Sequence, residues 1–475
     1  MRAPGEHFGR ERGALTAEHI GCTQWMSKAR QLDGLIADLD AHQRATGRQT
    51  KIPKRRKCVV RDLPLGTGRI RLRICKPHLR IDREKETRSE SMRGPEQAAQ
   101  VHRLGDALHA GSKISSHFSA RCLKTAPKEE KPKQPSGGDP IMANPILVEL
   151  TRGSRVESVH RGAIAIADAG GGLRCTIGDI QTPIYPRSSL KPIQALPLVE
   201  SGALDAFGLA DEHVALACAS HSGEPMHTMR VAAWLERLGL SESDLACGPH
   251  PVRHEPTWFA MVGRGENATR IHNNCSGKHT GFLTVARHWD VATAGYAAVD
   301  HPVQQAVRAS LADLSGETDL PFGIDGCAAP NFALPLAAFA QALAKLAEPT
   351  RLPETRARAA KRIVSAMIQY PELVSGTGRA CAILMRASNG RAAVKAGAEG
   401  FYAGIVPELG IGIALKIDDG AGRASETVIA AILARLSLTG EDRAARALVS
   451  GIVTNTRGDV VGERRVTATL DGIHS

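Results

Sequence analysis

The amino-acid composition changes abruptly at residue 142, and this change limits the possible folds more than any single motif does. Residues 1–141 contain 29 Lys and Arg against 16 Asp and Glu, whereas residues 142–475 contain 32 against 33. The formal net charge of +12 therefore comes from the first segment. High charge with few large apolar residues predicts disorder there. The near-neutral remainder is long enough to bury a sizeable core.

Three interpretations of residues 1–141 remain open. Their basic run, residues 54–57, suits a nucleic acid or an anionic membrane. A solvated extension without a role is the second interpretation. The third is an over-extended gene start, favoured because an ordered-looking pattern begins directly at Met142. We therefore predict a basic, disordered extension over 1–141 and a folded domain over 142–475, and we do not expect nucleic-acid binding.

Cysteine usage and hydropathy favour a reducing compartment. The ten cysteines are widely and irregularly spaced, unlike the dense disulfide frameworks of small secreted domains. No apolar run reaches the roughly 18 residues of a membrane-spanning helix, and the N-terminus lacks the apolar core of a signal peptide. We expect a cytoplasmic protein without a membrane segment.

Periodicity from residue 146 onwards predicts an α+β fold. The predicted strands are 146–151, 156–167 and 173–177, and the predicted helices include 303–314, 336–346, 354–369 and 426–436. Short β-like runs are expected at 380–386, 392–396, 400–406 and 412–417. Strands at both ends with helices between them favour an antiparallel sheet. Pairing of the first and last strands would bring Lys416 near the first hairpin.

Polar clusters interrupt these apolar elements at five places. They are Ser188-x-x-Lys191, Cys218-Ala-Ser220-His221-Ser222, Asn273-Asn274-Cys275-Ser276-Gly277-Lys278-His279, Asp325-Gly326-Cys327, and Lys416 in Lys416-Ile-Asp-Asp-Gly420. A serine with a lysine one helical turn later is a minimal nucleophile and base, because a desolvated lysine can accept the hydroxyl proton. Ser-x-x-Lys arises by chance about once in a chain this long, so the motif alone is weak evidence.

The cysteines and Lys416 have plain structural interpretations. Cys275 and Cys327 are most simply buried apolar residues, although two thiolates would also suit Zn²⁺. Lysine is an uncommon zinc ligand because its amine must first lose a proton, so His279 would be a commoner third ligand than Lys278. Lys416 alternates with apolar residues on a predicted strand, and the spacing alone favours a side chain that faces solvent.

In their joint order, the five clusters resemble the bacterial asparaginase II family. Flanking motifs agree, and the resemblance runs from about residue 145 to the end of the chain; these motifs are Glu157-Ser158-x-His160-Arg161, Gly376-x-Gly378-Arg379 and Asn455-x-Arg457-Gly458. The resemblance implies a fold similar to serine β-lactamases and glutaminases, with an antiparallel sheet flanked by helices and a helical subdomain. It also implies hydrolysis of L-asparagine to L-aspartate and ammonia by the domain over 142–475.

The resemblance further implies the roles of individual residues. Two Ser–Lys pairs are implied, Ser188 with Lys191 and Ser220 with Lys416. Either serine could be the nucleophile; similarity to β-lactamases favours Ser188. A zinc site is implied, with Cys275, Lys278 and Cys327 as ligands. Because the serines already supply a nucleophile, we expect the metal to modulate substrate affinity; attack by metal-activated water is the alternative. The implied substrate-binding residues are Arg187, His279 and Asp325. A homodimer is also implied.

Two other functions compete with this interpretation. A penicillin-binding or β-lactamase-like serine hydrolase would have Lys-Thr-Gly on its last core strand, where this chain has Lys416-Ile417-Asp418. The non-enzymatic alternative is nucleic-acid binding by the basic extension over 1–141.

Overall fold

The computed structural model describes residues 143–474 and three strands of the N-terminal segment. These are β1 (Cys58–Leu65), β2 (Gly68–Cys75) and β3 (His78–Asp82), which form an antiparallel sheet in the order β1-β2-β3. They belong to a unit over Met1–Ser136, and the second unit is Gly137–Ser475. The remaining residues of 1–141, for which disorder is predicted, lie outside the described part of the chain.

An eight-stranded antiparallel sheet forms the centre of the second unit. Its order is β11-β12-β13-β5-β4-β15-β14, and β6 pairs with β5 beside this path. The strands are β4 (Ile146–Arg152), β5 (Arg155–Asp168), β6 (Leu173–Ile177), β11 (Ala393–Ala396), β12 (Phe401–Val406), β13 (Ile411–Ile417), β14 (Gly451–Thr454) and β15 (Val460–Val466). The expected pairing of first and last strands is confirmed, because β13 pairs with β5 and β15 with β4. Two small two-stranded sheets pair β7 (Pro183–Ile184) with β10 (Leu334–Pro335), and β8 (Phe322–Ile324) with β9 (Pro330–Phe332).

Helices cover the sheet and form a subdomain between its two sets of strands. The first seven are α1 (Lys191–Gln194), α2 (Leu196–Glu200), α3 (Ala203–Ala206), α4 (Asp211–Ala217), α5 (Pro225–Arg237), α6 (Glu255–Gly263) and α7 (Ser276–His288). The others are α8 (Pro302–Ser315), α9 (Leu336–Ala347), α10 (Glu354–Gln369), α11 (Pro371–Val374), α12 (Ala380–Ala387), α13 (Gly422–Arg435) and α14 (Arg443–Val449). The predicted α+β class, with an antiparallel sheet and a helical subdomain, is confirmed. None of the helices in the described part has the length and apolar character needed to cross a bilayer.

Helix α9 packs directly on the sheet at Gly412 of β13. A Cβ at this position would lie 2.7 Å from the Cβ of Leu343 and would also meet the backbone of α9. The alanine-rich sequence of α9 and the missing side chain at Gly412 therefore allow helix and strand to approach closely. This contact fixes the sheet strands against the helical layer.

Trp234 anchors the helical subdomain that contains part of the candidate site. Its side chain on α5 is 1% exposed, and its indole N–H donates to Thr284 Oγ1 of α7 at 3.0 Å. Burial of such an aromatic side chain contributes roughly 4–6 kcal/mol of transfer free energy. The Trp234 contact holds α7, whose first turn bears Lys278.

One predicted strand is wrong. Residues 380–386 form helix α12 (Ala380–Ala387), which ends before a turn with positive φ at Asn389 and Gly390. A short apolar run does not distinguish a buried strand from a buried helix, and Ala, Leu and Met favour the helix. The turn at Asn389-Gly390 therefore connects a helix, rather than a strand, to β11.

Candidate active site

The segment that contains Ser188 enters a helix through a strained residue. Arg187 has φ +53°, and a 3-10 turn over Arg187–Leu190 continues into α1. A non-glycine residue in this region costs of the order of 1–3 kcal/mol and persists only when its surroundings hold it. Here the Arg187 guanidinium pairs with Asp325 Oδ1, at 2.9 Å from Nε and 2.7 Å from Nη2. The ion pair and the turn place Ser188 half-buried beside a cavity.

Two lysine amines converge on the hydroxyl of Ser220. Its Oγ lies 2.9 Å from Lys191 Nζ and 2.7 Å from Lys395 Nζ. Lys191 also donates to the carbonyl of Ala219, and Lys395 to that of Ala396 at 2.8 Å. Both lysine side chains are buried, at 1% exposure each. A hydroxyl between two buried amines is a short path along which a proton can move.

The environment of Lys395 suits a base near neutral pH. Burial, together with the positive charge of Lys191, lowers the pKa of Lys395 to about 7. The neutral amine is therefore available at physiological pH without a large free-energy cost. Lys395 can accept a proton from Ser220, which is the property that general base catalysis requires.

Lys416 does not occupy the position predicted for it. Its Nζ donates to the carbonyl of Ile417 at 2.5 Å, and its side chain is half-buried with the charges of Asp418 and Glu399 nearby. The expected Ser220–Lys416 pair is therefore wrong, and Lys395 takes that place. The reason is the strand order, since β11, which bears Lys395, is the strand that contacts the turn beginning at Arg187.

A backbone contact fixes Lys395 in register with the Ser188 turn. Ser189 Oγ donates to the carbonyl of Lys395 at 2.8 Å, and both residues are buried. Residues 392–396 are predicted as a strand, but Lys395 within it is not among the predicted site residues. A lysine that interrupts an apolar run could have indicated Lys395 as a site residue. Lys416 interrupts its own apolar run in the same way, so this pattern does not distinguish the two lysines.

Ser188, Ser220 and Lys395 line one cavity of about 150 Å³. This volume is below the roughly 300–1,000 Å³ of sites for drug-sized ligands, so it suits a small solute. Other polar side chains on its wall include Asn274, Arg253, Arg379 and Glu426. The predicted residues Ser188, Lys191 and Ser220 are thus brought together.

The three predicted zinc ligands also meet. Lys278 Nζ lies 3.1 Å from Cys327 Sγ, and the thiol of Cys275 hydrogen-bonds to Cys327. All three side chains are buried, with exposures of 3–4%. The hydrogen bond from Cys275 and the charge of Lys278 lower the pKa of Cys327 to about 5, despite its burial. The hydrogen bond to Cys327 and burial raise the pKa of Cys275 to about 12.

The sulfur and nitrogen donors of this cluster fit a zinc ion, provided that Lys278 is deprotonated. Two sulfur atoms and one nitrogen atom are the donor types that zinc prefers. Within the described residues, no three His, Cys, Asp or Glu side chains are arranged to hold a metal. A zinc site here therefore depends on the amine of Lys278 as the third protein ligand, and that amine must lose its proton on binding.

The residues predicted to bind substrate surround this cluster. Asp325 Oδ2 lies 3.7 Å from Cys327 Sγ and joins the cluster to Arg187. Burial opposes ionisation of Asp325, but the charges of Lys278 and Arg187 lower its pKa below the usual value. The buried His279 has its Nδ1 2.7 Å from the hydroxyl of Tyr296, and its Nε2 has no partner in the described chain.

The Tyr296 contact assigns the tautomer of His279. The Tyr296 hydroxyl accepts a hydrogen bond from Ala246 N–H at 2.9 Å, so its own proton is free to go to His279 Nδ1. Burial and the charge of Lys278 lower the pKa of His279 to about 3, which keeps the ring neutral. The remaining ring proton therefore lies on Nε2, where it is available to a ligand.

The chain belongs to the L-asparaginase II family. The family model matches residues 148–466, which is more than half of the chain. The family places the protein among amide-hydrolysing enzymes, and every residue of the two clusters described above lies within the matched range. No curated protein matches the chain.

Solved structures give weaker similarities. A β-lactamase from Mycobacterium bovis is 15% identical, with a TM-score of 0.33 over 58% of this chain and 95% of that one. A putative β-lactamase from Bacteroides dorei is 13% identical, with a TM-score of 0.33 over 54% and 84% of the two chains. Simvastatin synthase from Aspergillus terreus is 13% identical, with a TM-score of 0.29 over 56% and 90%. At these values the fold class rests on the sheet and helices of the chain itself.

Replacement of Lys395 and of Lys416 distinguishes the observed site from the predicted one. We expect Lys395→Met to lower kcat for amide hydrolysis by about 10²- to 10⁴-fold, the usual contribution of a general base. The matched variant Lys416→Met should stay within a few-fold of wild type, since its amine donates to the carbonyl of Ile417 rather than to Ser220. Ammonia release measures both, and the opposite ranking would contradict the assignment.

Proposed function

We propose that the protein hydrolyses L-asparagine to L-aspartate and ammonia through an acyl-enzyme. The supporting observation is the hydroxyl of Ser220 between the amines of Lys191 and Lys395, in the same small cavity as Ser188. A carboxamide is a poor electrophile with a poor leaving group, so it needs a nucleophile and a route for protons to the departing nitrogen. The cavity offers both to a substrate of amino-acid size.

Ser188 is the nucleophile in this proposal. A hydroxyl oxygen has two lone pairs, and those of Ser220 face two amines. The Ser188 hydroxyl has no hydrogen-bond partner among residues 143–474 and lines the cavity. The strained residue before it, Arg187, is of the kind that accumulates at active sites.

The two lysines and Ser220 move the proton. Ser188 Oγ attacks the amide carbon as its proton passes to Lys191, which gives up its own proton through Ser220 to the neutral Lys395. The C–N bond breaks as one of these protons returns to the leaving nitrogen. Lys191, Ser220 and Lys395 form a continuous path for that second transfer. Water then hydrolyses the ester by the reverse sequence. Backbone N–H groups at the start of the helical segment stabilise the oxyanion, since helix N-termini favour negative charge.

Zinc is a second part of the proposal. Cys275, Lys278 and Cys327 would hold it, and a bound zinc ion supplies a Lewis acid that can orient a substrate oxygen. Asp325 would help to position the ligand Cys327, because its carboxylate contacts Cys327 Sγ and pairs with Arg187. Because Ser188 already provides a nucleophile, the metal tunes substrate affinity in this account. The homodimer and the lack of nucleic-acid binding stay predictions.

Lys395 weakens the sequence evidence against a β-lactamase-like activity. Lys395 is followed by Ala396 and Gly397, which differs from Lys-Thr-Gly at one position. The sequence after Lys416 therefore no longer separates the two activities. A chromogenic cephalosporin assayed beside asparagine does so, and the proposal expects turnover of asparagine alone.

Serine replacements and trapping of the ester test the mechanism. We expect Ser188→Ala to abolish measurable ammonia release and Ser220→Ala to lower it by about 10²- to 10⁴-fold, because a relay contributes less than the bond-forming group. Mass spectrometry after acid quenching should find the acyl group on the peptide with Ser188. The buried Ser315→Ala in α8, whose hydroxyl donates to the carbonyl of Leu311 at 2.7 Å, leaves all three serines of the site intact and is the matched control.

Two results would contradict this division of labour. An acyl group on Ser220 would exchange the roles of the serines. Full activity of both single variants would remove the serine mechanism and favour water activated by a metal.

Chelation tests the role given to zinc. Dialysis against EDTA should raise KM for asparagine about tenfold or more and leave kcat within a few-fold, and zinc should restore KM. Cys327→Ala should lose zinc by elemental analysis, whereas Cys175→Ala on strand β6 should retain it. Loss of turnover at saturating asparagine would contradict an affinity role.

A further inference from the structure

Three charged side chains on the wall of the cavity have no role in the chemistry above. They are Arg253, Arg379 and Glu426, which come from three separate segments of the chain. Arg253 lies in the loop before α6, Arg379 directly precedes α12, and Glu426 lies in the first turns of α13. None of them forms an ion pair or side-chain hydrogen bond within residues 143–474. Charges at a cavity wall without partners need a ligand or water to satisfy them.

Arg253 and Arg379 form a site for an anion. The two guanidinium groups repel one another, and burial together with the charge of Arg379 lowers the pKa of Arg253. Both remain charged at physiological pH because arginine is protonated throughout that range. A carboxylate between them would relieve the repulsion and accept charge-assisted hydrogen bonds. The N-terminus of α12 lies at the same wall and also favours a negative group.

One hydrogen-bonded unit positions both arginines. The carbonyl of Ser222 accepts a hydrogen bond from Arg253 N–H at 2.9 Å, and Ser222 Oγ donates to the buried Glu224 at 2.5 Å. Glu224 in turn accepts from Thr377 N–H at 2.9 Å and from Thr377 Oγ1 at 2.7 Å. Because Ser222 lies two residues after Ser220 and Thr377 two residues before Arg379, this unit connects the backbone segments of both arginines to the segment that bears Ser220.

Glu426 gives the cavity an opposite charge. Its side chain is half-buried, and burial raises its pKa while the charges of Arg379 and Arg464 oppose that rise. Because the Glu426 carboxylate is partly removed from water, a cation bound close to it would stabilise its negative charge. Two cations and one anion beside one another match a ligand that itself has adjacent negative and positive groups.

We infer that Arg253, Arg379 and Glu426 form a clamp for the charged ends of a free α-amino acid. The arginines take the α-carboxylate, Glu426 takes the α-ammonium, and the side-chain amide then extends towards Ser188 and Ser220. This inference rests on the proposed function and specifies its substrate class. The clamp selects single amino acids with a terminal carboxamide, and it excludes asparagine residues within peptides because these lack both charges.

Substrates with one charged end removed test the clamp. Wild type should hydrolyse L-asparagine with kcat/KM at least about 100-fold above that for N-acetyl-L-asparagine or L-aspartic diamide, since each lacks one charged contact. Glu426→Gln should raise KM for L-asparagine about 10- to 100-fold and leave kcat/KM for N-acetyl-L-asparagine within a few-fold. Arg379→Ala should show the same pattern with L-aspartic diamide. Matched surface variants are Glu266→Gln and Arg264→Ala, which pair with one another and do not line the cavity.

The clamp and the proposed function fail in different ways. Equal losses on free and capped substrates, in variants with unchanged melting temperature, would reduce these residues to a structural role and overturn the clamp. If wild type releases no ammonia from asparagine, the proposed function fails, and the clamp is then tested by calorimetric binding of L-aspartate. Binding that weakens at least tenfold in Arg379→Ala supports the clamp, and unchanged binding or no binding to wild type overturns it.

Discussion

The structure of the site depends on two lysine amines buried around one hydroxyl. Two ammonium groups this close cannot both remain charged without a large cost, because burial removes water that would otherwise stabilise them. Each amine donates a hydrogen bond to a backbone carbonyl, Lys191 to Ala219 and Lys395 to Ala396, which offsets part of the cost of burial. Loss of the Lys395 proton removes the remaining repulsion between two buried charges. The arrangement therefore contains a group ready to accept a proton near neutral pH.

The fold holds the two lysines from opposite sides. Lys191 is fixed by the helical segment that begins at the strained Arg187, and Lys395 is fixed by β11 and by the hydrogen bond from Ser189. Ser220 is held by its N–H bond to the carbonyl of Val374 at 2.9 Å. The ion pair of Arg187 with Asp325 links this group to the cysteine and lysine cluster. The turn that presents Ser188 therefore connects the two clusters.

Sequence patterns predicted the fold correctly, but they did not predict which lysine pairs with Ser220. The pairing of β5 with β13 follows from two apolar strands at the ends of a domain, and the motif order located Ser188, Lys191, Ser220 and the three candidate zinc ligands. The choice between Lys395 and Lys416 depends on which strand lies beside the Ser188 turn. Both lysines interrupt apolar runs, and periodicity gives no strand order. A different limit explains why the helix at residues 380–386 was predicted as a strand, since a short apolar run does not distinguish a buried strand from a buried helix.

The pH dependence of kcat tests the central claim most directly, because Lys395 must be neutral to accept a proton from Ser220. For wild type, kcat should rise with pH through about 7 and level off above it, as Lys395 loses its proton. In Lys395→Arg, whose guanidinium stays protonated, the residual kcat should lack this limb, whereas Lys416→Met should keep it. A limb near pH 7 that persists unchanged in Lys395→Arg would contradict the account.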